Sequence, residues 1–257
     1  MIELQNVTKA YREGRAAVRD LTLSIAEREF AVLIGPSGSG KSTTLSLINR
    51  LIEATSGSIS VDGQPINSID SVDLRRRIGF VFQAIGLFPH LTVAENIAIT
   101  PRLLGWSKTK RENRVFELLD LVRLESSRYA RRFPRELSGG EQQRIGVARA
   151  LAASPKLMLM DEPFGALDPL VRDELGADYR AIHDRLGLTT VLVTHDMTEA
   201  LLLADRIFVM RNGALVQSGT PRELLSSPAD EFVRSLIETP RRRAERLAEA
   251  LRFGSTA

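Results

Sequence analysis

The sequence predicts an α/β fold: a mixed β-sheet core, a second, antiparallel β layer, and a helical subdomain inserted into the sheet domain. Three observations carry that expectation. Four short apolar runs, "FAVLI" (30–34), "GFVF" (79–82), "LMLM" (157–160) and "TVLVT" (190–194), are bounded by turn signals and separated by helical patterns, as buried parallel strands are. "RIFVMRNGALVQSG" (206–219) sets two strand-like pieces around Asn212-Gly213, the strongest short-range hairpin signal. Between Phe88 and about Ala153 the strand pattern disappears altogether.

Taken in order, "FAVLI" runs through a glycine-rich turn into the helical "TLSLINRL" (44–51), and "SGSISVDG" (56–63) with "TLSI" (22–25) joins the 206–219 hairpin in the antiparallel layer. In "KRENRVFELLDLVRL" (110–124), Val115, Leu118, Leu119 and Val122 recur at helical spacing and share one face. "THDMTEAL" (194–201) opens a helix after the last core strand. The expected division is a core of residues 1–87 and 154–239 with its antiparallel layer, a helical subdomain at 88–153, and a charged tail at 240–257.

The 257 residues suffice for one large domain or two small ones, and 43% hydrophobic with 26% charged residues is an ordinary globular composition. No apolar run reaches the eighteen or so residues of a membrane span, and "MIELQNVTKAYREG" lacks the apolar stretch of a secretion signal, so the chain is expected to stay in the cytosol. Zero cysteines exclude disulfides, thiolate chemistry and sulfur-ligated metals. The net charge of +3 is supplied entirely by the tail, where Arg241, Arg242, Arg243, Arg246 and Arg252 face Glu245 and Glu249. No nucleic-acid partner is therefore expected, and the tail reads as a solvated helix face.

"GPSGSGKST" follows a strand and precedes a helix, the setting a P-loop requires. Gly35, Gly38 and Gly40 let the backbone curl so that successive N–H groups face a β-phosphate; Pro36, Ser37, Ser39 and Thr43 complete the loop. Lys41 reaches the β- and γ-phosphates as a point charge, and Ser42 can ligate Mg²⁺. "LMLMDEP" ends a strand in two carboxylates that alternation should point apart, Asp161 as metal partner and Glu162 as general base. His195 and Gln83 also end core strands, where ligands sit in parallel sheets, and the Gln83 amide oxygen can serve a metal or a water. His90 and His183 lack that setting and read as structural. In "LSGGEQQR" (137–144), Ser138 and Glu141 fit a capping box, while Gly139 and Gly140 leave a helix N-terminus open to an anion.

These residues in this order resemble the nucleotide-binding subunit of ATP-binding cassette (ABC) transporters over nearly the whole chain. The match runs through Tyr11 before the first strands, Gly35–Thr43, Gln83, "LSGGEQQR", "LMLMDEP", "GALD" (165–168) and His195. P-loop kinases and GTPases share the first motif and lack the signature, and non-transport ABC ATPases carry long coiled-coil insertions or paired cassettes. The resemblance implies ATP and Mg²⁺ as ligands and a head-to-tail pair of copies in which each signature covers the nucleotide on the partner's P-loop. It further implies that Tyr11 stacks on adenine, Ser138 to Gly140 contact the opposite γ-phosphate, Asp168 bridges the dimer and His195 senses the γ-phosphate. Separate membrane permease subunits, served by a substrate-binding protein, would hold the chain at the cytoplasmic face of a bacterial plasma membrane, gripping the segment after Gln83. "IGLFPH" (85–90) with "PRLLGW" (101–106) resembles the branch importing glycine betaine, choline, carnitine and related quaternary amines, ahead of polyamine, sugar or amino-acid importers. Many members of that branch continue into paired regulatory domains, whereas this sequence ends at Ala257, which puts osmotic gating in question.

Overall fold

The computed structural model describes residues 1–11 and 16–238, so the tail expected at 240–257 lies outside the described residues. The chain runs through β1 (Ile2–Ala10), β2 (Ala16–Ile25), β3 (Phe30–Ile34), α1 (Lys41–Ile48), β4 (Ser56–Val61), β5 (Gln64–Pro65), α2 (Ser71–Arg77) and β6 (Ile78–Val81). Four helices follow without a strand: α3 (Val93–Leu103), α4 (Lys108–Leu121), α5 (Ser126–Tyr129) and α6 (Gly139–Leu151). Then come β7 (Leu157–Asp161), α7 (Pro169–Leu186), β8 (Thr189–Thr194), α8 (Met197–Leu203), β9 (Arg206–Arg211), β10 (Ala214–Gly219) and α9 (Pro221–Ser226).

Two sheets result. The six-stranded sheet has the order β10-β9-β3-β8-β7-β6, with β9, β3, β8, β7 and β6 parallel and β10 antiparallel at the edge. The four-stranded sheet, β2-β1-β4-β5, is antiparallel throughout. The 206–219 hairpin therefore belongs to the core sheet and not to the antiparallel layer. Its turn at Asn212-Gly213 has positive φ at both residues, 51° and 84°, as a tight hairpin needs, but β9 gives its other edge to β3 in parallel register. A second correction concerns Tyr11. A strand precedes it: in β1 Ile2, Leu4 and Val7 are buried, and the inward rhythm breaks at Asn6, whose φ is 49°. "GFVF" shifts by one residue, since β6 ends at Val81 and leaves Phe82 exposed.

Both faces of the six-stranded sheet are covered, which is why its central strands read as unbroken apolar runs. Period-two alternation divides each between two cores. Phe30, Val32, Ile34, Met158, Met160, Leu192, Ile207 and Val209 face a core shared with α3, α4, α6 and α7, where Val115, Leu118, Leu119 and Val122 are all buried. Ala31, Leu33, Leu157, Leu159, Val191, Val193, Phe208 and Met210 face the antiparallel sheet and α1. The expected single face of α4 is thus the one that packs inward, against α3 and α6. His183 is structural, its Nδ1 2.9 Å from Thr190 Oγ1 and its ring centroid 4.9 Å from that of Phe30.

Close packing of α6 on β6 makes Gly79 irreplaceable by size alone. A Cβ there would lie 2.7 Å from the Ala150 carbonyl oxygen, a backbone atom of α6, and 2.3 Å from Met158 Sδ. Gly79→Val should lower stability by about 1–3 kcal/mol, the usual range for overpacking, measured as a drop in Tm against the parent. An unchanged Tm would mean that α6 can withdraw from β6 freely.

Candidate active site

The loop Gly35–Thr43 is shaped by what surrounds it as much as by its own glycines. Gly35 has no room for a side chain, because a Cβ would stand 2.1 Å from Met210 O on the neighbouring β9. Gly40 has φ 103° and would drive a Cβ to 2.6 Å from Ala17 O. Gly38, φ 77°, faces open space, so conformation alone selects glycine there. The Asn212-Gly213 turn buttresses the loop: Gly213 N–H donates to Ser39 O at 3.0 Å, and Arg19 grips Asn212 O, with its Nε at 2.9 Å. Arg19 lies on β2 and the turn joins β9 to β10, so local sequence marks neither as part of this site.

Helix α1 starts at Lys41 with Gly40 as its cap and no side-chain cap, so its first amides remain available to an anion. The Lys41 ammonium folds back over the loop, donating to Gly35 O at 2.7 Å and Pro36 O at 3.0 Å. Burial holds it below the usual lysine range, while Glu162 and Asp161 pull it back up. A buried cation within a curl of bare amides is a fitting place for phosphate. Ser42 Oγ donates to Asp161 Oδ1 at 2.8 Å, and burial pushes the Asp161 carboxyl up. The paired hydroxyl and carboxylate are hard oxygen donors that fit Mg²⁺, which usually takes few protein ligands and completes its shell with water and phosphate.

Glu162 lies just past β7 in the left-handed region, φ 43°, with its N–H on Val193 O at 2.9 Å. That turn, and not strand alternation, separates the two carboxylates. Asp161 points to Ser42; Glu162 Oε2 meets Gln83 Nε2 at 3.3 Å and His195 Nδ1 at 3.1 Å. Gly35–Thr43, Gln83, Asp161, Glu162 and His195 therefore converge at the ends of four neighbouring strands, β3, β8, β7 and β6.

The signature stands apart from this cluster. Ser138 caps α6 in a reciprocal box: its N–H donates to Glu141 Oε2 at 2.7 Å, and Glu141 N–H donates to Ser138 Oγ at 3.3 Å. The Ser138 hydroxyl proton is not used by the box. Tyr129 Oη donates to Glu141 Oε1 at 2.6 Å, and this bond is the largest reason the Glu141 carboxyl sits below its usual range. Gly139 and Gly140 pack toward Leu167 and Val171, where a Cβ on Gly140 would come within 3.0 Å of Val171 Cγ1. Asp168 caps α7, its Oδ1 accepting from Val171 N–H at 3.1 Å. Among the described residues no hydrogen bond or ion pair joins Ser138–Gly140 to Gly35–Thr43. Tyr11 is 54% exposed with the Lys9 ammonium 5.2 Å from its ring centroid, and none of its described contacts reaches the loop. Arg149, another residue not picked out from the sequence, donates to Ile85 O at 2.7 Å and Gly86 O at 2.6 Å, fastening the segment after Gln83 to α6.

A twisted, mostly parallel sheet with a P-loop at the end of its central strand and a carboxylate pair two strands away defines a P-loop nucleotide-binding protein. The signature helix narrows that class, and a match to the ABC transporter family over residues 18–165 settles it: the chain belongs to that family. It is 54% identical over 237 residues to the choline transport ATP-binding protein OpuBA of Bacillus subtilis (strain 168), a match covering 92% of this chain and 62% of that longer protein. It is 53% identical over 237 residues to the glycine betaine uptake system ATP-binding protein YehX of Escherichia coli (strain K12), covering 92% of this chain and 76% of that one. Among solved structures, the dimeric post-hydrolysis state of the ATP-binding cassette MJ0796 bound to ADP and Pi superimposes with a TM-score of 0.78 at 38% identity, covering 86% of this chain and 99% of that one.

Proposed function

We propose that the chain is the ATP-hydrolysing subunit of an importer that takes up quaternary amines such as glycine betaine or choline. The observation that carries the hydrolytic part is the meeting of Gln83 and His195 on one oxygen of Glu162, beside the Ser42–Asp161 pair. In this reading the bare amides of Gly35–Thr43 and the Lys41 charge hold the β- and γ-phosphates. Ser42, Asp161 and the Gln83 amide oxygen would hold Mg²⁺, which would supply neutralisation of the phosphate charge. Glu162 accepts the proton of the attacking water as the water oxygen bonds to the γ-phosphorus, the bond from that phosphorus to the bridging oxygen breaks, and ADP leaves with its electron pair. Gln83 and His195 fix the direction in which Glu162 accepts it.

The second phosphate element serves the partner. Two copies related by a two-fold axis place the Ser138 hydroxyl and the amides of Gly139 and Gly140 over the nucleotide on the other chain's loop, giving two shared sites. Tyr11 stacks on adenine and Asp168 spans the interface. Nucleotide then favours the closed pair because both halves touch it only there, and its hydrolysis lets the pair reopen. The helical segment 88–153 moves as the signature-bearing subdomain on the ATP-binding core.

No described helix is long and apolar enough to cross a membrane. Transport therefore calls for permease subunits, supplied with amine by a substrate-binding protein, and the chain sits against them at the cytoplasmic face of the membrane. Their seat is a cleft of about 640 Å³ whose lining includes Phe80, Phe82, Gln83, Phe88 and Arg149. It opens directly on the Gln83 segment, so the docked permease and the hydrolytic cluster share one loop. The names of the relatives support the amine assignment. In proteoliposomes carrying the complete transporter, ATP-driven uptake of radiolabelled glycine betaine or choline is the expected result. Uptake of sulfate, sugar or polyamine in place of either amine would overturn the substrate assignment and leave the ATPase reading intact.

A further inference from the structure

We propose that Arg172 is a positioning residue for hydrolysis: its guanidinium ties the loop that follows Glu162 to the segment that carries His195. The proposal rests on the reading of Glu162 as the base. Arg172 lies in the first turn of α7, where its N–H bonds to Asp168 O at 2.9 Å, so its side chain starts beside the loop 165–168. Nη2 donates to Leu167 O at 3.1 Å and Gly165 O at 3.4 Å, and Nη1 donates to Asp196 Oδ2 at 3.2 Å.

Both ends of this strut are fixed. Asp196 caps α8, its Oδ1 accepting from Thr198 N–H at 2.8 Å and Glu199 N–H at 3.4 Å, while its own N–H donates to Thr194 Oγ1 at 3.0 Å. At the other end Gly165 N–H donates to Glu162 O at 3.2 Å, and a Cβ on Gly165 would stand 3.6 Å from Glu162 Oε2. Gly165 is thus tied to Glu162 through the backbone and lies on the side of its carboxylate. The contacts close a ring: Glu162, Gly165, Arg172, Asp196, His195, and back to Glu162 across the 3.1 Å gap.

The setting makes the strut matter. The Arg172 and Asp196 side chains are 24% and 31% exposed. Beside them burial pushes the Glu199 carboxyl up to about 7, so the surroundings are poorly hydrated, and removing one half of an ion pair there is felt more than at an open surface. A planar guanidinium can hold two carbonyls and a carboxylate at once. A lysine ammonium is a single point and cannot. Arg172 touches neither the phosphate loop nor the reacting atoms, so its loss should lower kcat and spare ATP binding.

The test uses Arg172→Ala, Arg172→Lys, Asp196→Asn and the Arg172→Ala/Asp196→Asn pair in the full chain. Asp196→Asn keeps an oxygen for the α8 cap and loses the acceptor facing Arg172. Small displacements of catalytic groups are amplified into large rate losses, so each alanine or asparagine variant should lose about tenfold or more in kcat, with KM for ATP within about threefold and Arg172→Lys in between. If the two residues form one strut, the pair should be no slower than the worse single change. In nucleotide-free protein, amide exchange should quicken at 162–168 and 195–199 and stay unchanged at 35–43. A kcat within about threefold of the parent in a folded Arg172→Ala chain, or losses that multiply in the pair, would overturn the proposal. Should Arg172→Ala fail to fold, Asp196→Asn decides by the same kcat and exchange criteria. Failure of Glu162 as base appears separately, as turnover by Glu162→Gln, while the exchange result judges the strut without reference to hydrolysis.

Discussion

Glu162→Gln is expected to bind ATP as the parent does and to stop turning it over. The amide keeps the size and the oxygen of the carboxylate, so Gln83 and His195, at 3.3 and 3.1 Å from Oε2, retain an acceptor within reach if the amide oxygen takes that place. The left-handed backbone at position 162, φ 43°, carries the same strain for Gln as for Glu, and no change in fold follows. What is lost is the proton acceptor. General-base catalysis is commonly worth about 10²- to 10⁴-fold, and the fall in kcat should lie in that range, with ATP affinity unchanged and a nucleotide-stabilised dimer accumulating. Steady-state ATPase, nucleotide binding and size-exclusion chromatography with ATP measure the three parts. Hydrolysis within about tenfold of the parent would remove Glu162 from the role of base.

The sequence made the strands of the core sheet legible because burial on both faces favours apolar and β-branched residues: all five residues of β3 are apolar and buried, and β8 buries Val191, Leu192 and Val193 between the buried Thr190 and Thr194. It did not place the 206–219 hairpin. Asn212-Gly213 reports that β9 and β10 pair with each other, which is local, whereas the pairing of β9 with β3 joins segments more than 170 residues apart and leaves no local mark. β1 leaves a weak strand signal in the sequence because its inward rhythm breaks after Leu4, in a strand whose outer face is polar. At the site, side chains that carry charge, hydroxyl or amide groups at motif spacing are the ones the sequence singles out and the structure brings together: Lys41, Ser42, Asp161, Glu162, His195 and Gln83. Residues that act through backbone carbonyls are not among them. Arg149 on Ile85 and Gly86, and Arg19 on Asn212, make contacts across 63 or more residues, and the chemistry of the accepting side is the same at every peptide. The left-handed turn at Glu162 likewise depends on Val193, which its N–H meets only once β7 and β8 lie side by side.

The shared-site reading makes a prediction that single chains cannot mimic. Lys41→Ala removes the charge over the phosphate loop, and Ser138→Arg sets a bulky cation where the partner's phosphate must dock; Ser138 is exposed, so the new side chain has room in the isolated chain. That change also deletes the α6 cap, at about 0.5–2 kcal/mol, so a melting curve should accompany it. Each homodimer should be inactive, since every site then lacks either a working loop or a working signature. A heterodimer of the two variants is different. The intact loop of the Ser138→Arg chain meets the intact signature of the Lys41→Ala chain, one whole site forms, and activity of up to about half the parent should return where the two sites fire independently. Placing both changes in one chain and pairing it with an unaltered chain reverses the outcome: each site then joins one sound element to one damaged element, and the pairing should be dead. If each site were built within a single chain, the expectations would exchange, with the mixed singles dead and the double-variant pairing about half active. ATPase of heterodimers purified through two different affinity tags reads the answer, and substantial activity from the double-variant pairing would sink the shared site.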